Sequence, residues 1–191
     1  MHTSIALVGP AHAGKDTIAE HLVSAHGYAR VAFADELKVM ALEIDPVVNV
    51  GDAGCGIRTA HLSDVVRAVG WERAKREFPE VRRFLQRLGV TMRERDPDYW
   101  INLASPRFTD AELSEIPVVV TDCRFVNEAE YLIARGFIVV AVDRPGLSDD
   151  AFRQHVSETE MSKIPWEQRV SNVGTIADLH RRVDELLRWL S

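Results

Sequence analysis

Cysteine is nearly absent from this sequence of 191 residues: Cys55 and Cys123 are the only two, far apart and in no metal-ligand spacing. That excludes a disulfide framework and a cysteine-built zinc site, and two free thiols fit a reducing, cytoplasmic compartment. An excess of positive charge is missing as well. Lys and Arg total 23 against 29 Asp and Glu, a net of -6, which argues against a duplex-binding protein with a general basic surface and leaves local basic clusters for small anions. No apolar run approaches ~18 residues and no signal peptide opens the chain, so neither membrane spanning nor secretion is predicted. Internal repeats and low-complexity segments are also lacking. The length supports one substantial core with at most an inserted helical subregion.

What is present begins at Gly9-Pro10-Ala11-His12-Ala13-Gly14-Lys15-Asp16-Thr17, directly after the apolar run Ile5-Ala6-Leu7-Val8. A glycine, four residues and then Gly-Lys is the spacing of a phosphate-binding loop, whose backbone N–H groups at a helix N-terminus cradle phosphate oxygens. Ile18, Ala19, Leu22 and Val23 give the following segment one apolar helical face. Lys15 is placed to neutralise terminal phosphates. Asp16 stands where Ser or Thr usually holds Mg²⁺. A carboxylate ~5 Å from a phosphate charge is repelled by roughly 3 kcal/mol at an effective dielectric near 20, and a Mg²⁺ between them reverses that sign. The plainer reading is that Asp16 complements the positive end of its helix.

Along the chain, Ala29 to Phe33 reads as a second strand, and Leu37 to about Pro106 as a charged helical insertion without a convincing strand. Within it the Gly-rich stretch 51–56 reads as loop. His61 to Val69 and Trp71 to Phe78 read as short helices, and Val81 to Leu88 as a third ended by Gly89. Pro117 to Thr121 is a β-branched run of the kind buried on both faces of a parallel sheet. A helix from about Asn127 to Arg135, a strand from Phe137 to Val142, a polar segment from Asp143 to Trp166 and a short strand at Arg169 to Ser171 follow. Ile176, Leu179, Val183, Leu186, Leu187 and Leu190 then form one helical stripe. This alternation predicts a doubly wound α/β sheet with right-handed crossovers.

Asp122 falls at the carboxyl end of a buried strand, where open α/β sheets place their ligands, with Arg124 two residues on to clamp a phosphoryl group. An N-capping Asp and a surface Arg are the alternative. Asp35 is expected at the matching end of the second strand, so Lys15, Asp35 and Asp122 should converge, with Lys38 one turn on. A plain cap is the other use of Asp35. In the insertion, Arg83 and Gln86 share a helix face, Arg93 and Arg95 follow the Gly89 turn, and Tyr99-Trp100 come next. Cations, an amide and an aromatic suit a nucleoside monophosphate, whereas a solvated helix with Trp100 in the core explains the same residues. Arg144, Arg153, His155, Ser157 and Lys163 lie in a segment that reads as a lid, where a lone His155 is equally a surface histidine.

These stretches together resemble the phage-type deoxynucleoside monophosphate kinases, also found in bacterial genomes, within the P-loop nucleoside monophosphate kinase group. The resemblance rests on Gly14-Lys15-Asp16-Thr17, residues 33–38, 83–90 and 98–100, Thr121-Asp122-Cys123-Arg124 with Asn127-Glu128, Arg144-Pro145-Gly146 and residues 155–158, in that order. His12-Ala13, Glu36 and Val90 depart from the family's common residues. The resemblance implies a three-layer α/β/α P-loop kinase with a parallel five-stranded sheet: a core of about 1–36, 115–143 and 167–191, a monophosphate-binding insertion of about 37–114, and a lid of about 144–166. It implies that Gly9, Ala11, His12, Ala13, Gly14, Lys15, Asp16, Thr17 and Arg144 bind ATP, and that Asp16 and Asp122 hold Mg²⁺. The acceptor, a deoxynucleoside monophosphate, falls to Asp35, Lys38, Arg83, Gln86, Gly89, Arg95, Trp100, Arg124, Glu128 and His155. Lys15, Asp35, Asp122 and Arg124 carry the catalytic roles. A homodimer is one assembly this reading allows. Two rivals stay open, a P-loop kinase of another small acceptor such as dephospho-coenzyme A or a metabolite, and a nucleotide-binding regulatory module. The lack of an Asn-Lys-x-Asp motif counts against a GTPase switch.

Overall fold

The computed structural model describes residues 3–52, 57–146 and 160–190. Strand β1 (Ile5–Val8) is the middle of a five-stranded, all-parallel sheet in the order β2-β5-β1-β6-β7, where β2 is Ala29–Val31, β5 Val118–Val120, β6 Ile138–Asp143 and β7 Gln168–Ser171. Register is set on both sides of β1, Ile5 pairing with Val119 and with Ile138. All four residues of β1 and all three of β5 are buried, because helices cover both faces and an apolar side chain is favoured at every position of such a strand. One face, with Ile5, Leu7, Val119, Val140 and Val142, packs against α1 (Lys15–His26) and α7 (Ile176–Leu190) through Ile18, Leu22, Leu179, Val183 and Leu187. On α5 (Tyr99–Leu113), buried Phe108 meets Phe33, Tyr131 of α6 (Val126–Ala134) and Phe137 with ring centroids 5.7–5.8 Å apart. The chain is thus the three-layer α/β/α arrangement that its alternating pattern predicts. Among the described residues, no helix is long and apolar enough to cross a membrane.

By its contacts the chain divides into two units, Met1–Phe33 with Ile101–Ser191, and Ala34–Trp100. The second unit contains α2 (Phe33–Ile44) from its second residue on, an antiparallel pair β3 (Val47–Asp52) and β4 (Ile57–His61), then α3 (Leu62–Glu77) and α4 (Pro79–Arg95). Its own core is Ala41, Val48, Leu62, Val65, Ala74, Val81 and Leu85.

Five expectations need correction. The insertion does hold strands: β3 and β4 pair from Val47↔His61 to Asp52↔Ile57, and Glu80 accepts the Asn49 N–H at 2.6 Å. Gly89 does not end a helix, so Arg93 and Arg95 belong to α4 instead of following a turn. A glycine in mid-helix costs about 0.5–1 kcal/mol relative to alanine, and a Cβ here would stand 3.7 Å from Leu37 Cδ2, an ordinary van der Waals contact, so the packing at this position does not require glycine. The second strand stops at Val31 and α2 begins at Phe33, which places Asp35 inside the first turn of a helix and not at a strand end. Val23 and Ile176 are exposed, each lying outside the buried stripe of its helix. By contrast, the two short helices read around Gly70 correspond to α3, which is broken there by a non-helical residue at φ 74°.

Helix α7 starts with a reciprocal cap. The N–H and hydroxyl of Thr175 donate to Asp178 Oδ2 at 2.9 and 2.7 Å, and the Asp178 N–H donates back to Thr175 Oγ1 at 3.2 Å. The Thr175 N–H first, then its hydroxyl and Arg181, hold the Asp178 carboxyl down to about 2 from an ordinary 3.8. A carboxyl depressed on folding stabilises the native state above its unfolded value and loses that contribution as pH falls through the folded one. Asp178→Asn is therefore expected to be less stable than wild type at neutral pH, with the gap closing between 3.8 and about 2. Urea melts across that range check it, and a gap that persists unchanged at pH 2 would refute the assignment.

Candidate active site

The turn after β1 carries two glycines that no other residue replaces without movement. Gly9 sits at φ 147°, and a Cβ there would stand 2.2 Å from the carbonyl oxygen of Val142 on the adjacent strand. Gly14, at φ 108°, would place a Cβ 2.4 Å from Asn172 Nδ2. Between them, exposed His12 adopts the left-handed region at φ 64°, a conformation that costs a non-glycine residue roughly 1 kcal/mol or more. The loop closes by a bond from the Ala13 N–H to the Pro10 oxygen, and the first helical bond runs from the Ile18 N–H to the Gly14 oxygen.

No side chain caps α1. Its first-turn N–H groups have no acceptor within the helix, and together with the helix dipole they form an anion-binding concavity. Lys15 is buried and its ammonium donates to the Gly9 and Pro10 oxygens at 2.7 and 2.8 Å, which holds its charge over the mouth of the loop. Asp16 is exposed and Thr17 half-buried in the same turn.

A brace that sequence reasoning missed is Asn172. Its side chain donates to the Ala13 oxygen at 2.8 Å while its own N–H donates to the Asp143 oxygen at 2.7 Å, so the end of β6 and the phosphate loop are tied together from behind. The one sequence signal was an Asn just beyond the last strand. Asp143 is itself fixed by Arg169 at 2.8 Å and by the Ser171 hydroxyl, and the Arg169 guanidinium holds its carboxyl below the usual range.

Connections from β1 and from its neighbour β5 leave in opposite directions, toward β2 and toward β6, which makes the gap between their carboxyl ends the switch point of the sheet. One lip is the phosphate loop. The other is Thr121-Asp122-Cys123-Arg124. Asp122 Oδ1 accepts the Phe33 N–H at 3.1 Å, and buried Glu128 accepts the N–H groups of Arg124 and Phe125 at 2.9 and 3.1 Å. Through Oε2, Glu128 fixes the turn that presents Arg124. Cys123 is buried beneath, where burial first, and the charges of Glu128 and Asp122 second, push its thiol well above the ordinary range.

In the other unit, Lys38 pairs with Asp35 at 3.2 Å. Arg83 is exposed and Gln86 half-buried, three residues apart on α4, and exposed Arg95 lies in the last turn of that helix. Trp100 is 5% exposed, its Nε1 donates to the Gly89 oxygen at 3.2 Å, and Tyr99 meets it edge-on at 5.0 Å. The indole is buried and fastens the start of α5 to α4, the packing role that the sequence also allowed it. Exposed Arg144 directly follows β6, whereas His155, Arg153 and Ser157, expected in the lid, lie outside the described residues.

The profile of the deoxynucleotide monophosphate kinase family matches residues 50–183. The chain belongs to this family. A relative from Acanthamoeba polyphaga mimivirus, named "Putative deoxynucleotide monophosphate kinase", is 28% identical over 179 residues, covering 84% of this chain and 82% of its own. Two crystal structures share the fold of this deoxynucleotide monophosphate kinase family member over the full length of both chains. TT1252 from Thermus thermophilus has a TM-score of 0.52 at 23% identity, and a "putative kinase" from Chloroflexus aurantiacus has 0.51 at 12%. The family and the fold support a P-loop kinase that phosphorylates a small substrate.

Proposed function

We propose that this protein transfers the γ-phosphoryl group of ATP to a deoxynucleoside monophosphate. The observation that carries this reading is the uncapped start of α1, with the Lys15 ammonium already held at its mouth, beside a turn that presents Arg124. An oxygen of the acceptor phosphate attacks the γ-phosphorus as its bond to the β–γ bridging oxygen breaks, and ADP and the diphosphate leave. Such transfer depends on positioning and charge neutralisation more than on covalent help. Lys15 exchanges the Gly9 and Pro10 oxygens for phosphate oxygens, and Arg124 clamps the group in flight. Asp35 orients Lys38 toward the acceptor, and Arg83 with Gln86 supplies its phosphate and base contacts.

The oxygen donors Asp16, Thr17 and Asp122 suit Mg²⁺, which favours carboxylates and retained waters. That ion supplies neutralisation of the triphosphate charge when bound. Asp16→Ala is expected to raise the Mg²⁺ concentration needed for half-maximal rate. An unchanged Mg²⁺ dependence would leave Asp16 as a helix-terminus charge only.

The decisive assay measures ADP release against a panel of deoxynucleoside and ribonucleoside monophosphates, dephospho-coenzyme A and metabolite hydroxyl acceptors. Turnover confined to deoxynucleoside monophosphates supports the reading, and release with another class alone removes it. Arg83→Ala is expected to raise the acceptor KM more than the ATP KM. Arg124→Ala should instead lower kcat by ~10²–10³-fold. Equal effects of both variants on both substrates would mean that neither sits where this reading places it.

A further inference from the structure

We propose that His21, His26 and Asp184 form a site for a divalent transition-metal ion of the zinc type, at the crossing of α1 and α7. The phosphoryl-transfer reading uses none of these residues. Of the chain's seven histidines, His21 and His26 meet at one carboxylate, and His180 stacks on His21. The Nε2 atoms of His21 and His26 stand 2.7 and 2.8 Å from the same oxygen, Asp184 Oδ1, and all three ligand atoms lie within 4.8 Å of one another. Metal–nitrogen and metal–oxygen bonds of about 2.0–2.2 Å need ligand atoms a little over 3 Å apart, so small side-chain rotations suffice to open the triangle around an ion.

The chemistry of the donors selects the ion. Two imidazoles and one carboxylate favour zinc and its transition-metal neighbours over Mg²⁺, which takes oxygen ligands. Imidazole must be neutral to ligate. Each Nε2 proton moves to Nδ1 when the ion takes its place, so no charge has to be added to the rings. The side chains of His21 and His26 are 13% and 23% exposed and that of Asp184 is 37% exposed. The ligands are therefore held on packed helices, with an entry path on the carboxylate side. His180 precedes Asp184 by four residues, on the same face of α7, and its ring backs that of His21.

The test uses the full-length protein and ZnCl₂. Calorimetric titration of wild type is expected to show one tightly bound Zn²⁺ per chain that excess Mg²⁺ does not displace, together with a melting midpoint that rises with Zn²⁺ concentration. In the His21→Gln/His26→Gln double variant the affinity should fall by at least about 10-fold. Because that variant can lose stability on its own account, the wild-type protein loaded with Co²⁺ gives a second reading: visible d–d absorption of a four-coordinate nitrogen and oxygen site. Equal Zn²⁺ affinity and stoichiometry in wild type and a folded double variant would overturn the proposal. So would displacement by Mg²⁺, or a six-coordinate water-like Co²⁺ spectrum.

Discussion

Lys15→Ala is expected to reduce phosphoryl transfer by a factor of roughly 10³ or more while the sheet and both cores stay folded. The structure already holds this ammonium at the loop mouth, on the Gly9 and Pro10 oxygens at 2.7 and 2.8 Å. Removing one preorganised donor from a transferring group typically costs ~10²–10³ in kcat, and the alanine also lets the loop relax. Lys15→Met keeps the aliphatic stem and separates the two effects: a loss as large as that of alanine assigns the whole cost to charge. The measurement is kcat and KM for both substrates alongside a thermal melt. Wild-type turnover in either variant would remove the kinase assignment.

The second large effect is structural. In Gly9→Ala the new methyl group would meet the Val142 oxygen at 2.2 Å, and that oxygen cannot retreat, because Leu7 and Val8 are paired in register with Val140 and Ala141. The φ of 147° adds backbone strain for any residue with a Cβ. Overpacking and strain each cost about 1–3 kcal/mol, so the variant should lose roughly 2–5 kcal/mol of stability or shift the loop and lose its nucleotide. Gly136→Ala is the control: its φ is also positive, at 80°, but nothing lies within 4 Å of the added atom. It should cost only about 1 kcal/mol. Equal unfolding free energies for the two variants would mean that the close approach of β1 to β6 does not constrain Gly9.

Local signals made much of this chain legible. The β-branched run before Thr121 can hardly be anything but a buried strand, and the glycine spacing before Lys15 names its own ligand because backbone geometry and chemistry demand the same residues. The hairpin of β3 and β4 was not legible in the same way. Its glycine-rich middle reads as loop, and what makes strands of Val47–Asp52 and Ile57–His61 is each other, plus Glu80 from a distant helix. Gly89 shows the opposite failure: its propensity signals a stop, while the helix runs on through it to Arg95 and its carbonyl oxygen takes the Trp100 indole N–H. Trp100 itself is a case where one residue type serves stacking or packing equally well, and only burial distinguishes them. Asn172 carried no pattern at all, since a single amide in a polar stretch becomes a brace only when the fold brings Ala13 to it.

The position of β1 in the middle of the sheet also sets an order of events during synthesis. Ile5 leaves the ribosome more than a hundred residues ahead of its partners Val119 and Ile138, so the central strand remains unpaired while the residues between them are being made. Residues 34–100 have their own core and emerge complete before either partner strand has left the ribosome. Once folded, they shorten the effective span that the closing loop must search, and loop closure is what slows parallel sheets. A nascent chain whose Val118–Val120 segment is still inside the ribosome, but whose residues 34–100 have emerged, would therefore carry a finished 34–100 body behind an exposed Ile5-Ala6-Leu7-Val8 edge, a stage at which a chaperone is useful.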